Sequence, residues 1–124
     1  MIALSNRVHL FARPNTKERL VEFFSDTLGC GPATAFDLPG DMMPVLVFRF
    51  PNGASLSVEF TEEAPEEAPL HRGAWLELVT DDSSELKNRI LGAGLPRVEY
   101  HGSDFFYFKA PGGQVMRIAS AQEM

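Results

Sequence analysis

The sequence holds a single cysteine, Cys30, so no intrachain disulfide can form. That fits a reducing compartment, and a cytoplasmic protein is expected. Cys30 stands in "LGCGP", past the expected end of a helix and outside any nucleophile motif, and it reads as a loop or packing residue. No stretch approaches the roughly 20 apolar residues of a membrane span, so no membrane association is expected. The opening "MIALSNRVHLF" has no basic region followed by a long apolar run, so a signal peptide is not expected. Basic residues are scarce: 11 Lys and Arg against 17 Asp and Glu leave a net charge of -6. They form no run, which argues against a nucleic-acid partner, because phosphate neutralisation needs grouped cations. The acidic balance mildly favours cationic or neutral ligands.

What is present supports a packed globule. The chain has 124 residues, 44% of them hydrophobic, and ten phenylalanines. That length suits one domain, 1–124, whose core needs no staples.

Two helix signals stand out. "NTKERLVEFFSDTLG" opens on Asn15 with Glu18 three residues on, a capping-box spacing. Leu20, Phe24 and Leu28 follow at intervals of four with Val21 beside them, and Gly29 offers a stop. "DSSELKNRILGAG" repeats the plan with Asp82 and Glu85 as the box, Leu86 and Ile90 as the stripe, and Gly92 or Gly94 as the stop. Strands are expected in "RVHLFA", "TAFDL", "VLVFRF" and "ASLSVEF" around the first helix, and in "AWLELV", "RVEY", "FFYFK" and "QVMRIAS" around the second. The turns "PNG" and "PGG" suit hairpins, and "FRFPNG" matches "FKAPGG" in register. The chain thus carries one β-α-β-β-β unit twice. Module one spans about 1–60 and module two about 73–120. The stretch 61–72, "TEEAPEEAPLHR", has four glutamates and two prolines and reads as a solvated linker. Fully extended it reaches about 40 Å. The second module can then pack on its own first module or on a neighbour's, and a homodimer, domain-swapped or not, is the expected assembly.

Period-two alternation separates two faces in four of the strands. Val8 and Leu10 alternate with Arg7, His9 and Phe11; Leu56, Val58 and Phe60 alternate with Ser55, Ser57 and Glu59. Leu76 and Leu78 alternate with Trp75, Glu77 and Val79; Met116 and Ile118 alternate with Val115, Arg117 and Ala119. The first set of each pair suits a face covered by a helix. A sheet with one solvated face shows the same alternation, so periodicity alone leaves His9, Glu59, Glu77 and Arg117 as outward residues. It does not tell which of Phe105, Phe106, Tyr107 and Phe108 turn inward.

Two such modules resemble the vicinal oxygen chelate superfamily, which includes glyoxalase I, extradiol dioxygenases, fosfomycin-resistance enzymes and bleomycin-resistance binding proteins. The most specific stretches are "HLFARPNTKERLVEFFSDTLG" and "APGGQVMRIAS". The resemblance implies an α+β fold whose mixed sheet curls into a cup. It also implies metal ligands on the first, fourth, fifth and eighth strands, at positions that fall on His9, Glu59, Trp75 and Arg117. The first two can ligate. An indole N–H only donates, and a guanidinium has no lone pair to give. A guanidinium about 5 Å from a divalent ion repels it by about 6–7 kcal/mol at an effective dielectric near 20. No metal or other cofactor is therefore expected; the alternative is a divalent metal on a shifted set of His9, Glu59 and Glu77, with His71. His71 otherwise reads as a linker residue and His101 as a turn residue.

The function expected is binding of a small-molecule ligand by His9, Glu59, Trp75, Glu77 and Arg117. Trp75 supplies a flat face for an aromatic or cationic ring, and Arg117 a fork for a carboxylate or phosphate. Arg117 has a structural alternative, an ion pair with Glu59 or Glu77. The functional alternative is a lyase, isomerase or dioxygenase of the same superfamily, using an atypical metal set or a metal-free site with His9 or Glu59 as catalytic base.

Overall fold

The computed structural model describes residues 1–69, 73–100, 102 and 104–121. Eight strands form: β1 (Arg7–Ala12), β2 (Thr34–Phe36), β3 (Val45–Arg49), β4 (Ser55–Phe60), β5 (Leu76–Thr80), β6 (Arg97–Val98), β7 (Phe106–Lys109) and β8 (Val115–Ser120). They fall where alternation and turn residues place them, though β5 begins one residue after Trp75. The chain divides into two compact units, one through Pro65 and one from Glu66. Each holds an open four-stranded mixed sheet, in the orders β1-β4-β3-β2 and β5-β8-β7-β6. In each, the first and last strands pair in parallel and the rest are antiparallel. This is an α+β fold made of one β-α-β-β-β plan used twice.

The repeat extends to the hairpins. Gly53 N–H donates to the Phe50 carbonyl at 3.0 Å and Phe50 N–H to Ala54 at 2.9 Å. Gly113 N–H donates to Ala110 and Ala110 N–H to Gln114, both at 2.9 Å. Gly53 and Gly113 sit at φ 88° and 96°, a region that L side chains avoid.

The helices part company at their starts. Asn15 does not cap. Pro14 and Asn15 lie inside a 3-10 turn, Pro14–Thr16, whose N-cap is Arg13. Proline presets the φ of a first helical position, so the turn opens one residue before the asparagine. The Thr16 hydroxyl donates to the Arg13 carbonyl at 2.7 Å. Helix α1 (Lys17–Val21) then widens into a π-helical segment, Glu22–Thr27. The widening changes the helical phase, so the neighbours Phe23 and Phe24 are both buried while Leu28, expected on the stripe, is only half-buried. The Phe24 ring stacks on Phe48 of β3 at 4.8 Å. Helix α2 (Ser83–Gly92) keeps the expected plan. The Asp82 carboxylate accepts the Glu85 N–H at 3.1 Å, and Leu86 and Ile90 are buried. Gly94, at φ 78°, closes it: its N–H reaches Leu91 and the Leu95 N–H reaches Ile90, a Schellman ending.

Each unit has its own core between helix and sheet. Leu20, Phe23, Phe24, Phe48, Leu56 and Val58 fill the first; Leu86, Ile90, Phe106, Phe108, Met116 and Ile118 fill the second. The stretch read as a solvated linker is tied down at two of its described residues. Ala64 is buried and its carbonyl accepts Arg13 Nε–H at 2.9 Å, while the Lys109 ammonium donates to the Glu67 carbonyl at 2.9 Å. A turn from Thr61 to Ala64 continues off β4 and puts a small apolar residue inward, while most of the described residues between 61 and 69 are exposed. Among the described residues, no helix is long and apolar enough to cross a membrane.

Candidate functional site

On the first sheet, the face away from the helix carries His9, Phe11, Ser57 and Glu59. Parallel pairing sets His9 opposite Ser57 and Phe11 opposite Glu59. Glu59 is therefore diagonal to His9, within reach of a ring nitrogen. The His9 Nε2 to Glu59 Oε1 distance is 3.0 Å and Nδ1 to Ser57 Oγ is 2.8 Å. Phe11 lies edge-on to the imidazole at 5.2 Å. Two proton arrangements satisfy this set. In one, Nε2–H donates to Glu59 and Nδ1 accepts from the Ser57 hydroxyl. In the other, Ser57 donates to the Val8 carbonyl at 3.3 Å, and an imidazolium donates through both nitrogens. The sequence set out Ser57 only as an outward strand residue; its position directly opposite His9 appears once strand register is known.

On the second sheet, the corresponding face carries an ion pair and an aromatic cluster. Arg117 lies opposite Glu77 in the β5–β8 ladder and opposite Tyr107 in the β7–β8 ladder. Arg117 Nη1–H donates to Glu77 Oε1 at 2.5 Å, and the guanidinium carbon stands 3.7 Å from the Phe105 ring centroid. The Arg117 side chain is 14% exposed and that of Glu77 41%. Of the two structural pairings expected for Arg117, the one with Glu77 forms. The Trp75 ring meets Tyr100 at 5.3 Å and Tyr107 at 5.6 Å, both edge-on, and Tyr100 meets Tyr107 at 5.1 Å. Gln114 fixes the approach to this corner, since its side-chain amide donates to the Ala74 carbonyl at 2.9 Å. Tyr107 is buried, Trp75 is 42% exposed, and Phe105 is exposed as well. Phe106 and Phe108 turn to the helix face, in register with Ile118 and Met116. Tyr100 escaped the sequence reading. Its signal lay in the β6 alternation, since Val98 pairs with Tyr107 and residue 100 shares that face.

The residues at the four positions where the resemblance implies ligands do not fit a metal. His9 and Glu59 are the two donors there. In the second unit the positions hold an indole, which has no free lone pair, and a guanidinium whose charge is met by Glu77. Among the described residues, no group of three or more His, Cys, Asp or Glu side chains is arranged to hold an ion. His71 and His101 lie outside the described residues.

The fold is that of the glyoxalase/bleomycin resistance protein/dioxygenase superfamily, the vicinal oxygen chelate fold. The trypanothione-dependent glyoxalase I of Leishmania major is similar with a TM-score of 0.72 and 15% identity, over 94% of this chain and 86% of that one. The antibiotic-binding protein TnmS3 from a Streptomyces species is similar with a TM-score of 0.64 and 19% identity, over 96% of each chain. The fosfomycin resistance protein FosX of Listeria monocytogenes is similar with a TM-score of 0.68 and 11% identity, over 95% of this chain and 91% of that one. At such identities the likeness is one of fold. No protein-family model and no curated protein matches the sequence.

Proposed function

We propose that the protein binds a small planar molecule on the second sheet, without a metal or other cofactor. The observation that carries this reading is the Trp75–Tyr100–Tyr107 ring cluster beside the Arg117–Glu77 pair. Small-molecule sites are usually concave, with aromatic and apolar walls and a few fixed polar groups, and on this reading these rings supply one such wall. The fold's presence in an antibiotic-binding protein agrees with such a role. Arg117, met by Glu77 and Phe105, holds the site together rather than offering its fork to an anion. We further propose that the protein is cytoplasmic, on the ground of its one cysteine, and a homodimer, which sedimentation velocity tests.

The test joins two measurements. Elemental analysis of protein purified without chelator or metal-affinity resin should find less than stoichiometric transition metal. A panel of planar ligands should then raise the melting temperature, since binding to the native state alone adds about 2.7 kcal/mol at a hundredfold excess over Kd. Near one metal per chain, with a chelator-sensitive activity, would end this reading.

The His9–Ser57–Glu59 hydrogen bonds favour a second reading, a metal-free acid–base site in an enzyme. A base must sit within hydrogen-bond reach of its proton, and a neighbour must orient it. Glu59→Gln with unchanged turnover of a candidate substrate would remove that residue from the mechanism.

A further inference from the structure

We infer that the ligand of the second sheet is a planar organic cation that packs against the exposed Trp75 with its charge toward Glu77. The inference rests on that sheet being the binding surface and goes beyond it by fixing the ligand's charge and pose. Three observations carry it.

First, the two charges of the Arg117–Glu77 pair are unequally accessible. The guanidinium is 14% exposed and has the Phe105 ring over it, whereas the carboxylate is 41% exposed. A carboxylate has acceptor capacity beyond the one bond it makes to Arg117. An approaching ligand therefore meets the negative end of a neutral pair. Second, the surface beside it is aromatic, and the faces of Trp and Tyr rings carry the negative lobe of the ring quadrupole. Third, the three rings touch one another, with centroids 5.1 Å, 5.3 Å and 5.6 Å apart. A cation sandwiched between two ring faces needs roughly twice the usual cation-to-ring approach, so none fits among them. Trp75 is 42% exposed, which favours a flat ligand laid against the indole over a compact ammonium held in a cage. Trp75, just ahead of β5, and Glu77 within it are two residues apart, about 7 Å along an extended chain, a span that a ring system with one charged substituent covers. The net charge of -6 adds a long-range field of the same sign.

Isothermal titration with two three-ring probes of opposite charge tests this: proflavine, a planar cation, and anthracene carboxylate, a planar anion. The wild-type protein should bind proflavine about tenfold more tightly, and the preference should shrink severalfold in Glu77→Gln. Trp75→Leu should weaken both probes. If Glu77→Gln misfolds, ionic strength serves instead, and added salt should weaken proflavine alone. Equal or tighter binding of the anion, still lost in Trp75→Leu, would overturn the charge assignment and leave the aromatic site standing. Binding of neither probe, or binding indifferent to Trp75, would remove the site itself and the inference with it.

Discussion

Arg117 shows how little separates a functional from a structural reading of one side chain. Its position is fixed by strand register, its charge is met by Glu77, and its plane is covered by Phe105. Because Glu77 is more than a third exposed, the pair is screened, and its worth is that of a surface bridge with one sheltered partner. Glu77→Gln should lower stability by about 0.5–1 kcal/mol. A double-mutant cycle with Arg117→Met in urea should return a coupling of the same size, and a coupling near zero would show that the pair contributes nothing. Cys30 supports a second expectation at this scale. Burial pushes its thiol pKa up, because the thiolate is the form that loses hydration. A raised folded-state pKa leaves stability intact below the unfolded thiol's pKa and erodes it as pH rises through the folded one. Thiol labelling near neutral pH should therefore run slower in the native protein than in urea, with stability falling only in alkaline buffer. Equal labelling rates in the two states would contradict the burial.

At the scale of elements, the strands and the second helix were legible because each has local chemistry that agrees with its neighbours. Asp82, Leu86, Ile90 and Gly94 supply cap, stripe and stop, and all four act so. The first helix ends at Gly29 as expected, at φ 77°, but its start and its stripe were misread, for separable reasons. Pro14 moved its start and the π-helical widening moved its stripe, and neither follows from hydrophobic period. Of the candidate site, the sequence located which residues share a face, but not which of them meet, since register between distant strands sets that. His9 with Ser57 and Arg117 with Tyr107 are such pairs. The two helix starts therefore make a matched comparison. Asp82→Ala removes a cap and should cost about 1 kcal/mol. That corresponds to about 3–5 °C in melting temperature for a chain of this size. Asn15→Ala removes no capping bond and should stay within about 0.5 kcal/mol, as uncoupled surface changes do. Thermal scans by circular dichroism of the two variants decide it, and equal losses would return the cap to Asn15.

For the whole molecule, the duplication raises the question of whether the modules fold separately. Each has its own helix-on-sheet core, around Phe24 in one and Ile90 and Phe108 in the other. Yet a unit of about 60 residues buries only about 60% of its unfolded surface and is marginal alone. We propose that residues 1–124 form one cooperative domain, the two modules unfolding together. Phe24→Ala opens a cavity in the first core and should cost about 3–5 kcal/mol. The chain has one tryptophan, Trp75, which lies in the second unit. If the modules are coupled, Trp75 fluorescence and far-ultraviolet circular dichroism should give coincident urea midpoints, and Phe24→Ala should lower both by the same amount. If the modules are independent, the same substitution should split the transition, with the fluorescence midpoint staying at its wild-type value. A proflavine titration adds the converse: ligand held on the second sheet should raise the midpoint of the whole chain, not of one half. A cooperative duplicated fold thus gains stability throughout from a ligand touching only one of its copies.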